Sequence, residues 1–243
     1  MARKMFISVI VDESGSMANC RGATISGFNE YVNDQRKKAA DEGNTVLFTL
    51  TKFNTDCTVV HLATPISDIP ELTRQGYMPG GMTALYDAIG HTLKSLEADL
   101  QRETEKPGVL VVIITDGEEN SSKEYSQAAI MKLIEEKKKE GNFTFVFLGA
   151  DIDVWQGQAL GIDVGNMIKY GKGQSVAAFR AMSANTSKLA DQVYGSPGGA
   201  SLGSSNFIDN ADGVWDAAVQ ADPADAVGDV ATTDGAKTDD GGK

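Results

Sequence analysis

The sequence predicts a doubly wound α/β domain built on a mostly parallel sheet, and two observations carry that expectation. Four short runs rich in β-branched and aromatic residues, "MFISVIV" (5–11), "TVLFTLTKF" (45–53), "GVLVVIIT" (108–115) and "FTFVFLG" (143–149), show almost no polar alternation. Strands of that kind are buried on both faces, as in parallel sheets. Between them lie longer stretches whose apolar residues recur at three and four positions, the spacing of amphipathic helices. Strand and helix in alternation puts helices on both sides of one sheet.

Taken in order, the first strand stops at Asp12, and a helix is expected from about Cys20 to Glu42 with Ile25, Phe28, Tyr31 and Val32 on one face. The strand at 45–53 is followed, after only "NTD", by "CTVVHLAT" (57–64). So short a gap suits a hairpin, which makes this strand antiparallel at a sheet edge. The second helix is expected over Thr83–Glu105, through Leu85, Ile89, Leu93 and Leu96. A third is expected over Lys123–Glu140. Ser121 stands three residues before Glu124 at its start, a capping-box pattern, and lysines with Gly141 close it. A short helix near Val154–Leu160, a last short strand in "NMIKY" (166–170) and a closing helix ending at Gly195 complete the domain, with Val176, Phe179, Met182 and Leu189 facing inward.

The character changes at Gly195. "SPGGASLGSSN" is linker-like, and beyond Asn210 the chain is almost all Asp, Ala, Gly, Val and Thr. The division is therefore a domain over 1–194 and a mobile acidic tail over 195–243. Phe207, Ile208, Val214 and Trp215 interrupt the acidity. An unstructured tail with occasional apolar residues is the favoured reading; docking on the domain or on a partner is the alternative.

The 243 residues carry 34 Asp plus Glu against 22 Lys plus Arg, a net charge of -12. That balance argues against nucleic acid and against an anionic membrane surface as partners. No secretory signal and no membrane-length apolar run is visible. Cys20 and Cys57 are too few for a disulfide framework, so reduced thiols in the cytoplasm are expected. With His61 and His91 they lack the paired spacing of a zinc site.

In sheets of this class the functional crevice lies beyond the carboxyl ends of the strands. Three segments there deliver oxygen. "FISVIVDESGSM" ends its strand in Asp12, Glu13, Ser14, Gly15 and Ser16; "VVIITDGEEN" ends in Asp116; and "YMPGGMTALYDAI" places Thr83 just after Gly80 and Gly81. Two carboxylates and three hydroxyls are hard donors, suited to Mg2+, with Mn2+ or Ca2+ as alternatives, rather than to zinc or copper. Without a cation, Asp12 and Asp116 would sit close together beside Glu13, Glu118 and Glu119, and their charges would repel.

The run Asp12-x-Ser14-x-Ser16, joined to Thr83 and Asp116, resembles the metal-ion-dependent adhesion site (MIDAS) of von Willebrand factor type A (VWA) domains. The resemblance covers residues 5 to about 194. It implies a Rossmann-like VWA fold in which Ser14, Ser16 and Thr83 are hydroxyl ligands and Asp12 and Asp116 bind the ion directly or through water. It also implies one open coordination position, filled by a Glu or Asp carboxylate of a protein partner. Compact domain-plus-tail chains of this type look like bacterial or phage proteins, which implies an intracellular adaptor or assembly role and no enzymatic activity. The helix beginning at Thr83 is expected to turn its positive end toward the partner's anion.

Two further readings stand beside this one. Haloacid-dehalogenase-like phosphatases also keep an Asp after the first strand, so a phosphoryl-transfer hydrolase using Asp12 is an alternative. Those enzymes have a second carboxylate where this chain has Ser14, and they need a phosphate-binding lysine for which only Lys123 or Lys132 can be nominated. A self-assembling protein is the other: Asp209, Asp212 and Asp216 of the tail would occupy the metal site, in cis or between copies.

Overall fold

The computed structural model describes residues 4–150, 155–171, 174–195, 207–208 and 215–216. Strands β1 (Lys4–Asp12), β2 (Thr45–Phe53), β3 (Cys57–Pro65), β4 (Gly108–Thr115), β5 (Phe143–Ala150) and β6 (Met167–Tyr170), with the two-residue β7 (Trp215–Asp216), form one sheet in the order β3-β2-β1-β4-β5-β6-β7. Every pairing is parallel except β2 with β3. The order reverses at β1, so the crevice opens between the ends of β1 and β4.

Strand burial matches the double covering. All residues of β4 and β5 are buried, and β1 is buried from Met5 to Asp12. Met5, Ile7, Val9 and Val11 face one core layer with Leu110, Val112 and Ile114. Helices α1 (Arg21–Glu42) and α5 (Ser175–Gly195) cover that layer through Phe28, Tyr31, Val32, Phe179 and Met182. Phe6, Ile10, Val109, Val111 and Ile113 face the opposite layer, covered by α2 (Leu85–Leu100) and α3 (Gln127–Lys139) through Ile89, Leu93, Leu96, Ile130 and Ile134. The short α4 (Trp155–Ala159) follows β5. Edge strand β3 is bulged: its pairing with β2 shifts register between Phe48 and Leu50 and again before Thr51, and Ala63 has φ +43°.

Two helix starts differ from the sequence expectation. The second helix begins at Leu85 rather than Thr83 and ends at Leu100, with turns over 101–105. The third begins at Gln127, capped by the Ser126 hydroxyl, which accepts from the Ala129 N–H at 3.3 Å. Ser121 and Glu124 form no capping box. The backbone N–H groups of Ser121, Ser122, Lys123, Glu124 and Tyr125 go instead to the carboxylates of Glu119 and Asp87, which hold 121–125 as a loop. The expected end of α3 is observed, with Lys137–Lys139 in the last turn and Gly141 at φ +79°.

Ordered structure extends past Gly195. Phe207 and Ile208 are buried in the α1–α5 layer, and their N–H groups donate to Asn166 Oδ1 and Gly165 O. Trp215 and Asp216 pair with Ile168 and Lys169 of β6. This is the docked alternative for those residues; Asp209, Asp212 and the rest of the expected tail lie outside the described residues. Asp216 is held three strand spacings from β4, about 14 Å, so its backbone does not adjoin the crevice as occupation in cis requires. Among the described residues, neither cysteine forms a disulfide, and no helix is long and apolar enough to cross a membrane.

Candidate metal centre

Each of the five expected residues reaches the crevice because a strand or loop ends there. Asp12 is the last residue of β1 and has no exposed surface. Its Oδ1 accepts from the Ser14 N–H at 2.6 Å, and its Oδ2 accepts from Thr115 Oγ1 at 2.6 Å. Ser14 and Ser16 Oγ lie 3.0 Å apart, and Ser16 Oγ donates to Asp116 Oδ1 at 2.5 Å. Asp116 follows β4 directly. Thr83 is buried; its N–H donates to Asn120 Oδ1 at 2.9 Å, and its carbonyl accepts from the N–H groups of Asn120 and Ser121. Asp12, Ser14, Thr83 and Asp116 are buried while Ser16 is exposed, so the cradle opens to solvent on the Ser16 side.

A single point ties Thr83 to the rest. A methyl carbon placed on Gly117 would lie 3.3 Å from both Ser16 Oγ and Thr83 Oγ1 and 3.8 Å from Asp12 Oδ2. Two segments far apart in the chain, the end of β1 and the Thr83 loop, therefore aim oxygen at one small volume, which the missing side chain of Gly117 on a third segment leaves open. Among the described residues no group of three or more His, Cys, Asp or Glu side chains is placed to hold a metal ion. The donor set is two carboxylates with three hydroxyls, and it fits a hard divalent cation.

The electrostatics agree. Burial raises the Asp12 pKa from 3.8 to about 6, against the lowering effect of hydrogen bonds from Thr115 and Ser14; the Asp116 charge adds to the rise. A carboxylate held in so unfavourable a place is relieved by a cation.

Several groups that hold this geometry were not legible as functional in the sequence. Tyr77, fully buried, donates its hydroxyl to the Asp12 carbonyl at 2.5 Å. Backbone bonds tie the end of β1 to the Thr83 loop, Gly15 N–H to Gly81 O and Gly80 N–H to Glu13 O, and to the end of β2, Glu13 N–H to Phe53 O. Gly81 needs φ +83° to make this turn, and a side chain there would meet Thr55 Oγ1 at 2.8 Å. Glu13 points away from the cradle, paired with Lys52 Nζ at 3.1 Å and accepting from the Met78 N–H. Glu119 accepts from four donors: the N–H groups of Tyr86, Ser121 and Ser122 and the Ser122 hydroxyl. The first turn of α2 is thus capped by Glu119 at Tyr86 and by Ser122 Oγ at Asp87. The N–H groups of Tyr86, Asp87 and Ala88 are thus engaged within the chain, which leaves the helix dipole as what this end turns outward.

The fold places the chain among solved structures. The vWF domain of the type V pili tip protein Mfa5 from Porphyromonas gingivalis superposes with a TM-score of 0.60 at 10% identity, covering 76% of this chain and 96% of that one. The fold is that of a von Willebrand factor type A domain. Proximal thread matrix protein 1 from the mussel byssus has the same VWA-like core, with a TM-score of 0.54, 16% identity and coverage of 74% and 47%; it has also been solved with a zinc-occupied MIDAS motif. The pilus adhesin SpaC from Lactobacillus rhamnosus GG, in its open conformation, gives a TM-score of 0.55, 16% identity and coverage of 77% and 30%. The VWA fold here spans about half of the mussel protein and under a third of SpaC. No protein-family model matches the sequence, and no curated protein matches it.

Proposed function

We propose that this VWA domain is a metal-dependent protein-interaction module, and that Asp12, Ser14, Ser16, Thr83 and Asp116 hold the ion. The observation that carries the reading is the convergence of Ser16, Thr83 and Asp12 oxygens on the space beside Gly117. When bound, the divalent cation supplies positive charge and an open coordination position for a carboxylate of the partner. The chain's own part is positional. Asp12 and Asp116 neutralise the ion, the three hydroxyls complete a weakly charged shell, and Glu119, Asn120 and Tyr77 hold the loops in register. Mg2+ is the ion of choice for such oxygens, with Mn2+ and Ca2+ compatible. The mussel structure's zinc-occupied MIDAS motif adds zinc to the ions worth testing, against the expectation drawn from donor softness.

A non-catalytic role is supported by what surrounds Asp12. The position of a second phosphatase carboxylate is Ser14. Of the lysines nominated to hold phosphate, Lys132 pairs with Glu136 at 3.9 Å on α3. The reading extends to an intracellular adaptor or assembly protein of a bacterium or phage, with Cys20 and Cys57 reduced.

Thermal unfolding tests the site. A ligand present at 100 times its Kd stabilises by about 2.7 kcal/mol, so millimolar Mg2+ is expected to raise the melting temperature of the wild type by several degrees and to leave Thr83→Ala and Asp116→Ala far less affected. Affinity capture with the full chain, in Mg2+ and in EDTA, then tests the interaction. No metal-dependent shift, or identical captured proteins in both conditions, refutes the proposal.

A further inference from the structure

Exposed apolar side chains are concentrated beside the cradle in a way that the fold does not require. Met78 is 64% exposed and Met82 50%, more than any other large hydrophobic residue among those described except Trp155, which equals Met82. Both lie in the five residues between Tyr77 and Thr83, which are themselves buried. The backbone that displays them is fixed: the Met78 N–H donates to Glu13, the Met82 N–H donates to Thr55 Oγ1 at 3.0 Å, and Gly80 and Gly81 are tied to Glu13 and Gly15. The loop behind them is clamped to α1, where Arg21 donates to the carbonyls of Arg74 and Tyr77 and Asn29 exchanges two bonds with Leu72. Two flexible, polarizable side chains thus stand on a rigid platform next to the proposed ligand position, the arrangement of an adaptable contact surface.

The charge pattern says what fits there. In a chain of net charge -12, residues 77–83, "YMPGGMT", carry no charge at all. On the neighbouring loop Glu13 is paired with Lys52, and Glu119 is spent on its four donors. An incoming carboxylate therefore meets an apolar, uncharged margin on the 77–83 side of the ion, whereas the exposed Glu118 stands on the Asp116 side.

We propose that Met78 and Met82 form an apolar collar that selects a partner segment whose metal-seeking Glu or Asp is flanked by apolar side chains. This rests on the metal-dependent reading above and adds the chemistry of the partner. A peptide array tests it, with one central glutamate flanked on both sides by two leucines or by two serines, and glutamine-centred controls. In Mg2+ the wild-type chain is expected to bind the leucine-flanked glutamate peptide roughly tenfold more tightly than the serine-flanked one. The double variant M78S/M82S, which changes only exposed side chains, is expected to bind the two alike. Equal binding of the two by wild type, binding of neither, or a leucine preference that survives in M78S/M82S overturns the collar. Failure of the metal reading shows differently: glutamine-centred peptides bind as well as glutamate ones, binding persists in EDTA, or Mg2+ gives no thermal shift.

Discussion

Asp12 offers the sharpest test of how the cradle is built, because its cost can be measured without any partner. The side chain has no exposed surface, and burial raises its pKa from 3.8 to about 6, which corresponds to about 3 kcal/mol. The sign follows from proton linkage. A carboxyl whose folded pKa lies above its unfolded one binds its proton more tightly in the native state. Its contribution therefore favours folding below about pH 4, is lost as the pH rises to about 6, and stays lost above that. Asp12→Asn removes the charge while keeping an oxygen for the Ser14 N–H and a donor for Thr115 Oγ1. In EDTA at pH 7.5 this variant is expected to be more stable than wild type by up to about 3 kcal/mol, with the difference vanishing near pH 4. Saturating Mg2+ should reverse the order, since only the wild type gains from it. Urea unfolding followed by tryptophan fluorescence, between pH 4 and 8, with EDTA and with Mg2+, reads both effects, and the wild type-minus-variant difference cancels the other carboxylates. An Asn variant no more stable than wild type at pH 7.5 in EDTA would refute the claim that Asp12 is held ionised at a cost.

Other perturbations separate the cradle from its supports. Gly117→Ala puts a methyl group within 3.3 Å of Ser16 Oγ and Thr83 Oγ1; it should cost little stability in EDTA yet abolish the Mg2+-induced rise in melting temperature. Asp87→Ala removes the acceptor of the Lys123, Glu124 and Tyr125 N–H groups and should cost on the order of 2–3 kcal/mol by urea unfolding. Burial pushes the Asp87 pKa up, but those three donors, with His91, more than offset it and leave it below the usual carboxylate value. Its contribution is therefore present at neutral pH and lost only as acid takes the protein below about pH 4, so wild type and Asp87→Ala should converge there. Gly27→Ala on α1 would bring a methyl carbon to 2.2 Å from the Phe179 ring of α5, and the forced separation of the helices should cost about 1–3 kcal/mol in the same assay.

The strands and the cradle were legible for one reason: both are written in local runs. β1, β4 and β5 are continuous apolar segments, and the donors follow them within a few residues, so a reading of strand ends finds Asp12, Ser14, Ser16 and Asp116. Thr83 was visible through its glycines, but its helix was placed two residues early. Helical periodicity runs into Thr83, and the long-range bonds it makes with Asn120 and Ser121 accompany its place outside the helix. The false capping box at Ser121 has the same origin. Glu119 and Asp87 outcompete the local cap; Glu119 stands in the same run of residues, but Asp87 reaches Lys123–Tyr125 only through the fold. Tyr77 and Thr115 look like ordinary core residues in sequence, because their role consists of one hydrogen bond each to a residue 65 or 103 positions away. Phe207 and Ile208 stand out in the sequence as apolar interruptions, but two such residues are too few to show a period, so their docking is legible only as the alternative reading.

The two sides of the sheet bear on how copies of this protein can meet. On one side β3 is kinked by its register shifts and by Ala63. On the other, the described part of β7 is Trp215–Asp216. Among the described residues, the β3 border is not the flat, regular row of backbone groups on which strands of another molecule stack most readily. Irregularity of this kind disfavours association by continuing the sheet at that rim. Copies that meet through the proposed metal site would do so loop to loop, and such a contact should come apart in a chelator without the domain unfolding.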